Sequence, residues 1–145
     1  MALVVGFDRH PASRAALRFA GELAGALNVP LHVVHVADLS DSSLGEPTPD
    51  APELTGRRSD PQQHVAATLD PAQVQWTYHR MDGDPVAALL QAAAEHAAEM
   101  IVVGRPEQGI GAVFGHIVTG AVARTLIRRS RRPVVVVPED VDGLR

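Results

Sequence analysis

The sequence contains no cysteine and no lysine. Without thiols there is no disulfide, no thiolate metal ligand and no cysteine nucleophile. Without lysine a Walker loop is excluded, and GxxxxGK[ST] is absent. Arginine carries all the strong positive charge. Aromatic residues make up only 3% of the chain. A core must therefore be built from Val, Leu, Ile and Ala, which suits a parallel sheet packed by alanine-rich helices. The net charge of −4 argues against a general nucleic-acid surface. No apolar run approaches the ~20 residues of a membrane span. The opening MALVVGFDRH lacks a basic segment before its short apolar run and reads as a strand rather than a leader. The expectation is a cytoplasmic protein, one domain over residues 1–145, with no membrane or nucleic-acid partner.

What is present alternates between apolar runs and helical patterns. Ala2–Phe7 is a short apolar run without helical spacing, as in a strand buried on both faces. Pro11 suits a first helical turn, and Ala16, Ala20, Leu23, Ala24 and Leu27 then trace one helix face until Asn28 and Pro30 stop it. Leu31–Val36 is a second strand. Residues 38–60 are rich in Ser, Asp, Pro and Gly and read as a long mobile loop, with a helix resuming over Asp60–Leu69. Val74–Met81 is a third strand, near an edge. Pro85 opens a helix with Val86, Leu89, Leu90, Ala93 and Ala97 on one side. Met100–Val103, Ala121–Arg129 and Val134–Val137 complete the order as strand, helix and strand, and residues 139–145 read as a frayed tail. This alternation predicts a doubly wound α/β sheet, with ligands beyond the carboxyl ends of the strands. The positions of interest are then Asp8 and Arg9, Val36–Asp38, the Asp82–Asp84 turn and Gly104 onward.

The most informative stretch runs from Met100 to Pro138. The strand MIVVG opens into a segment carrying Gly104, Gly109, Gly111, Gly115 and Gly120, followed by a helix and the strand PVVVVP. Glycines let backbone N–H groups approach an anion, and the following helix N-terminus adds positive potential. Nucleotide binding is the leading expectation.

The chain resembles the universal stress protein family over nearly its whole length. The resemblance rests on ALVVGFDRHPASRAALRFAGELA, LHVVHV, GDPVAALLQAA, MIVVG and GAVARTLIRRSRRPVVVVP, in the family's order. It implies a five-stranded parallel sheet of order 3-2-1-4-5 with helices on both faces, like the adenine nucleotide alpha hydrolases, and a homodimer. ATP-binding members use an Asp after strand one, a small apolar residue ending strand two and the pattern G-x2-G-x9-G-[ST]. Carried onto this chain, that implies a site at Asp8, Val36, Gly104, Arg105, Gly109, Gly111, Gly120 and Ala121. The loop departs from the pattern. Gly104 and Gly120 lie sixteen positions apart against thirteen, Glu107 stands where the second glycine belongs, and Ala121 lacks the hydroxyl that would meet phosphate. Arg105 can offset Glu107, and Gly109 or Gly111 can replace the second glycine. The implied ligand is ATP, or AMP or cyclic AMP, with any Mg2+ held mainly by the phosphates.

The implied role is a stress-response regulatory module rather than an enzyme. The alternatives are the same fold with an empty site, acting through dimerisation and protein contacts, and a weak ATPase. Asp8 reads either as a ligand contact or as a turn or cap residue before Pro11. His32 and His35 are three apart on one strand and face opposite sides, so they cannot share a metal. His10, His64, His79 and His96 read as scattered surface residues, His116 as a loop residue without catalytic role, and no metal site is expected. Trp76 and Tyr78 share a face and read as packing. Arg124, Arg128, Arg129, Arg131 and Arg132 read first as complements to a helix C-terminus. The strand Val134–Val137, placed at the sheet edge by the resemblance, is where a second copy would pair.

Overall fold

The computed structural model describes residues 1–8, 10–37, 60–105 and 121–140. Five strands form one parallel sheet: β1 (Leu3–Phe7), β2 (Leu31–Ala37), β3 (Trp76–Asp82), β4 (Met100–Arg105) and β5 (Val134–Pro138). Their order is β3-β2-β1-β4-β5, the order that the family resemblance implies. Four helices belong to the described residues: α1 (Pro11–Leu27), α2 (Pro61–Leu69), α3 (Pro85–Glu95) and α4 (Ala121–Arg129).

Three of these helices open in the same way, with a capping side chain followed by proline. His10 Nδ1 accepts from the Ala12 N–H, Asp60 Oδ1 from the Gln62 N–H and Asp84 Oδ2 from the Ala87 N–H. Proline has no amide to leave orphaned in a first turn, and its fixed φ already suits a helix. At the far end of α1, Asn28 adopts a left-handed conformation, φ 55°, and closes the helix through its own N–H.

Each central strand sends alternate side chains to two separate cores. Leu3, Val5, Phe7, Leu31 and Val33 pack against α1 and α2. Val4, Val34, Val36, Ile101 and Val103 pack against α3 and α4. Burial on both faces explains why these strands read as unbroken apolar runs in the sequence. Trp76 and Tyr78 do share a face and pack against the first core. Trp76 Nε1–H also donates to Asp70 Oδ1, at 2.8 Å.

Three details differ from the sequence reading. β3 begins at Trp76 rather than Val74, because Asp70–Ala72 form a 3-10 turn and Gln73 is left-handed, φ 56°. Leu27 lies on the α1 stripe by angle, yet in the last turn of the helix it is 51% exposed. The face of α1 that is buried is broader, and includes Ala12, Ala15 and Leu17. Ala97 does not extend the α3 stripe. It follows the helix in a left-handed turn, φ 50°, and is exposed. Residues 38–59 and 141–145, which hold most of the expected loop and tail, lie outside the described residues.

Candidate functional site: a hollow at the strand reversal

β1 sits between β2 and β4, so the chain reverses its direction of winding at β1 and β4. A hollow opens above that point and is partly open to solvent. Phe7 and Asp8 reach it from β1, Val34 and Val36 from β2, and Val103 and Gly104 from β4. His10, Ala12 and Ser13 line it from the start of α1, Pro85 and Leu89 from α3, and Val122 and Ala123 from α4. The lining is mostly apolar, with a few polar groups gathered at the start of α1.

The turn from β1 into α1 is tied by its own side chains. Asp8 Oδ1 accepts from the His10 N–H at 2.7 Å. The Asp8 N–H donates to Ser13 Oγ at 2.6 Å, and the Ser13 hydroxyl donates back to the Asp8 carbonyl at 3.2 Å. Asp8 is thus a turn residue, and His10 rather than Asp8 is the helix cap. A carboxylate offers about four acceptor positions, so this role does not by itself exclude contact with a ligand. The first turn of α1 holds no acidic residue, and its positive dipole end faces the hollow uncompensated from within the helix.

Gly104 has a packing reason to be glycine. A Cβ there would collide with the carbonyl group of Ala12 and stand 2.9 Å from the Ser13 amide nitrogen. The first turn of α1 lies directly on the end of β4, so the absent side chain is what lets the two meet at the floor of the hollow.

Of the residues expected from the sequence, Asp8, Val36 and Gly104 are brought together here. Arg105 ends β4 exposed and is not part of the lining, and Ala121 begins α4 exposed, with Val122 and Ala123 of the same turn lining the hollow instead. Gly109, Gly111 and Gly120, with Glu107 and His116, lie outside the described residues. Sequence reasoning missed His10 and Ser13. The signal available was their place just after strand one, flanking Pro11.

The histidines are not scattered as the sequence reading held. His35 is buried, facing the first core, with Nδ1 2.6 Å from the Tyr78 hydroxyl. His64 stacks on Phe7 with ring centroids 5.7 Å apart. Partial burial, then the Arg14 and Arg18 guanidinium groups, hold its pKa below the ordinary 6.5. His32, His79 and His96 form a cluster on the opposite face. His32 and His79 are held below the ordinary value chiefly by desolvation, then by neighbouring histidines, with Glu95 acting in the other direction on His79. In the arginine cluster, Arg128 and Arg129 occupy the last turn of α4, where they complement its dipole. Arg132 Nε–H donates to the Ala98 carbonyl at 2.8 Å and ties the start of β5 to the end of α3.

A five-stranded parallel sheet of this order, wound on both sides and open above its strand reversal, defines the α/β class whose ligands sit at the carboxyl ends of the strands. Within that class the sequence matches the universal stress protein family over residues 1–138, and the chain belongs to that family. No curated protein sequence matches it. Among solved structures it is similar to a universal stress protein from Archaeoglobus fulgidus, with 21% identity, TM-score 0.67, and coverage of 94% of this chain and 98% of that one. A universal stress protein in complex with cAMP is 22% identical, with TM-score 0.66 and coverage of 97% and 98%. The Archaeoglobus fulgidus protein in complex with dAMP is 22% identical, with TM-score 0.64 and coverage of 94% and 97%. Among the described residues no helix is long and apolar enough to cross a membrane.

Proposed function

We propose that this chain is a stress-response regulatory module that binds an adenine nucleotide, ATP foremost, in the hollow above β1 and β4. The observation that carries the reading is the meeting of Asp8, Val36 and Gly104 around one largely apolar hollow, beside the start of α1. The base rests against Val36 and Leu89 with Asp8 at its polar edge, and the phosphates lie toward Gly104 and the start of α4. Relatives of the same fold, solved with cAMP and with dAMP, support an adenine ligand. Any Mg2+ is held mainly by the phosphates. The protein acts by binding rather than by catalysis. The Ser13 hydroxyl is engaged with the Asp8 backbone and His10 Nδ1 with the Ala12 N–H, which pairs both groups with main chain rather than with each other.

Equilibrium dialysis against ATP, AMP, cyclic AMP and GTP tests this. Saturable binding of adenine nucleotides over GTP is expected. Asp8→Asn keeps an acceptor for the His10 amide while removing the charge. It should weaken binding about ten- to a hundredfold, as for the loss of a charge-assisted bond of roughly 1.5–3 kcal/mol. A second reading, a nucleotide-free member acting through dimerisation, is favoured by one observation: Gly104 is required by its packing on Ala12 whether or not a phosphate is bound. No binding at millimolar nucleotide would select that reading.

A further inference from the structure

We propose that His32, His79 and His96 form a binding site for a divalent transition-metal ion of the zinc class, at the end of the sheet away from the nucleotide hollow. The three residues come from three elements: the second position of β2, the middle of β3 and the residue that closes α3. In the β2–β3 register His79 stands opposite Val34. His32 and His79 therefore lie on the same face of the sheet, two positions out of step, and His96 descends onto them from the end of the helix. One ring nitrogen from each lies within 4.8 Å of the others.

The details suit a metal. His32 Nδ1 and His79 Nε2 are 2.9 Å apart. Two nitrogens bound to zinc at about 2.0–2.1 Å in tetrahedral geometry stand about 3.3 Å apart, so this pair needs to open by only a few tenths of an ångström. The His32 and His96 rings are stacked, with centroids 3.8 Å apart and planes within 9°. Parallel rings aim their in-plane lone pairs side by side, so the His96 ring must turn out of that stack before its nitrogen can face the same ion as His32 and His79. The backbone that carries it is fixed, because the His96 N–H donates to the Ala92 carbonyl at 3.0 Å and Ala97 turns the chain in a left-handed step. On binding, the proton of the His32–His79 hydrogen bond moves through solvent to the far nitrogen of the ring that carries it, leaving both facing nitrogens as ligands.

The surroundings favour a cation. The carboxyl end of α3, with its negative dipole, points here, and the last turn of that helix holds no basic residue. Glu95, adjacent in sequence, is close enough to act electrostatically on His79. All three histidines are half-buried, which leaves the fourth position to water and gives the ion a direct route in. Three imidazoles without thiolate suit zinc, copper, nickel or cobalt rather than Mg2+ or Ca2+.

The site does not depend on the nucleotide reading and is tested without nucleotide. Tag-free protein is titrated with Zn2+ by calorimetry, and with Co2+ by visible absorption. One equivalent per chain is expected, with the Co2+ spectrum of a low-coordinate nitrogen site. His79→Gln and His96→Gln should each weaken binding at least about tenfold, since even the loss of an outer partner of a ligand weakens metal binding by 10–100-fold. His64→Gln, on the other face of the sheet, should leave it unchanged. Nitrogen-detected NMR of the wild-type histidine rings gives a reading independent of any variant's folding. Zn2+ should shift His32, His79 and His96 together and leave His35 and His64 in place. Absence of saturable uptake, or shifts centred on other histidines, would overturn the site.

Discussion

Replacing Gly104 with alanine tests how the floor of the hollow is built. The added Cβ would stand 2.9 Å from the Ser13 nitrogen and collide with the Ala12 carbonyl. Carbon contacts are comfortable at about 3.5–4.0 Å, so the first turn of α1 must retreat by on the order of 1 Å. The obstructing atoms are backbone, and no rotamer change can relieve them. The cost should fall in the upper part of the roughly 1–3 kcal/mol typical of overpacking. At about 3 °C per kcal/mol for a domain of this size, melting should drop by roughly 6–9 °C. Gly25, in the same helix, supplies the opposite sign. Its nearest non-local neighbour would be Val74 Cγ2 at 3.7 Å, an ordinary contact, so Gly25→Ala should stabilise by about 0.5–1 kcal/mol through helix propensity. Thermal denaturation of both variants measures the pair. A Gly104→Ala protein as stable as the wild type would refute the packing of α1 on β4, leaving glycine there to be explained by the ligand alone.

Asp84→Ala should cost about 1 kcal/mol by orphaning the Ala87 N–H at the start of α3, measurable by urea denaturation. His64 should titrate below 6.5 in the folded protein and move upward when Arg14 or Arg18 is changed to Gln. Since the unfolded chain then binds the proton more readily, the contribution of His64 to stability is complete above 6.5 and is lost as pH falls through and below that value. NMR titration of the ring follows this, and a His64 pKa above 6.5 would contradict it. Among the described residues β5 is an edge strand, paired only with β4, and homodimerisation through Val134–Val137 is the expected cover for it. Sedimentation should show a dimer that Val134→Lys converts to monomer, and a monomeric wild type would remove the proposal.

Much of the fold is legible because each element carries its own local signal. Pro11, Pro61 and Pro85 mark three helix starts, and doubly buried strands show as unbroken valine-rich runs. Asp8, Val36 and Gly104 are legible as neighbours because they lie at or just after the carboxyl ends of strands that flank the winding reversal. The histidine cluster is not legible in this way. Its members are separated by 47 and 17 positions, from His32 to His79 and from His79 to His96, and meet only through the β2–β3 register and the length of α3. Nor does spacing distinguish a glycine that cradles phosphate from one that admits a helix, and Gly104 is demonstrably the second whatever else it does. His10 escaped for a similar reason: imidazole is an uncommon helix cap, and its ring nitrogen takes that role only once Asp8 has fixed the turn.

The most direct test of the account is an ATP titration followed by amide NMR. Saturable shifts centred on Phe7, Asp8, Val36, Val103 and Gly104 are predicted, with the far ends of the strands unmoved. Shifts confined to the arginines from 124 to 132, or none at millimolar ATP, would contradict the nucleotide site.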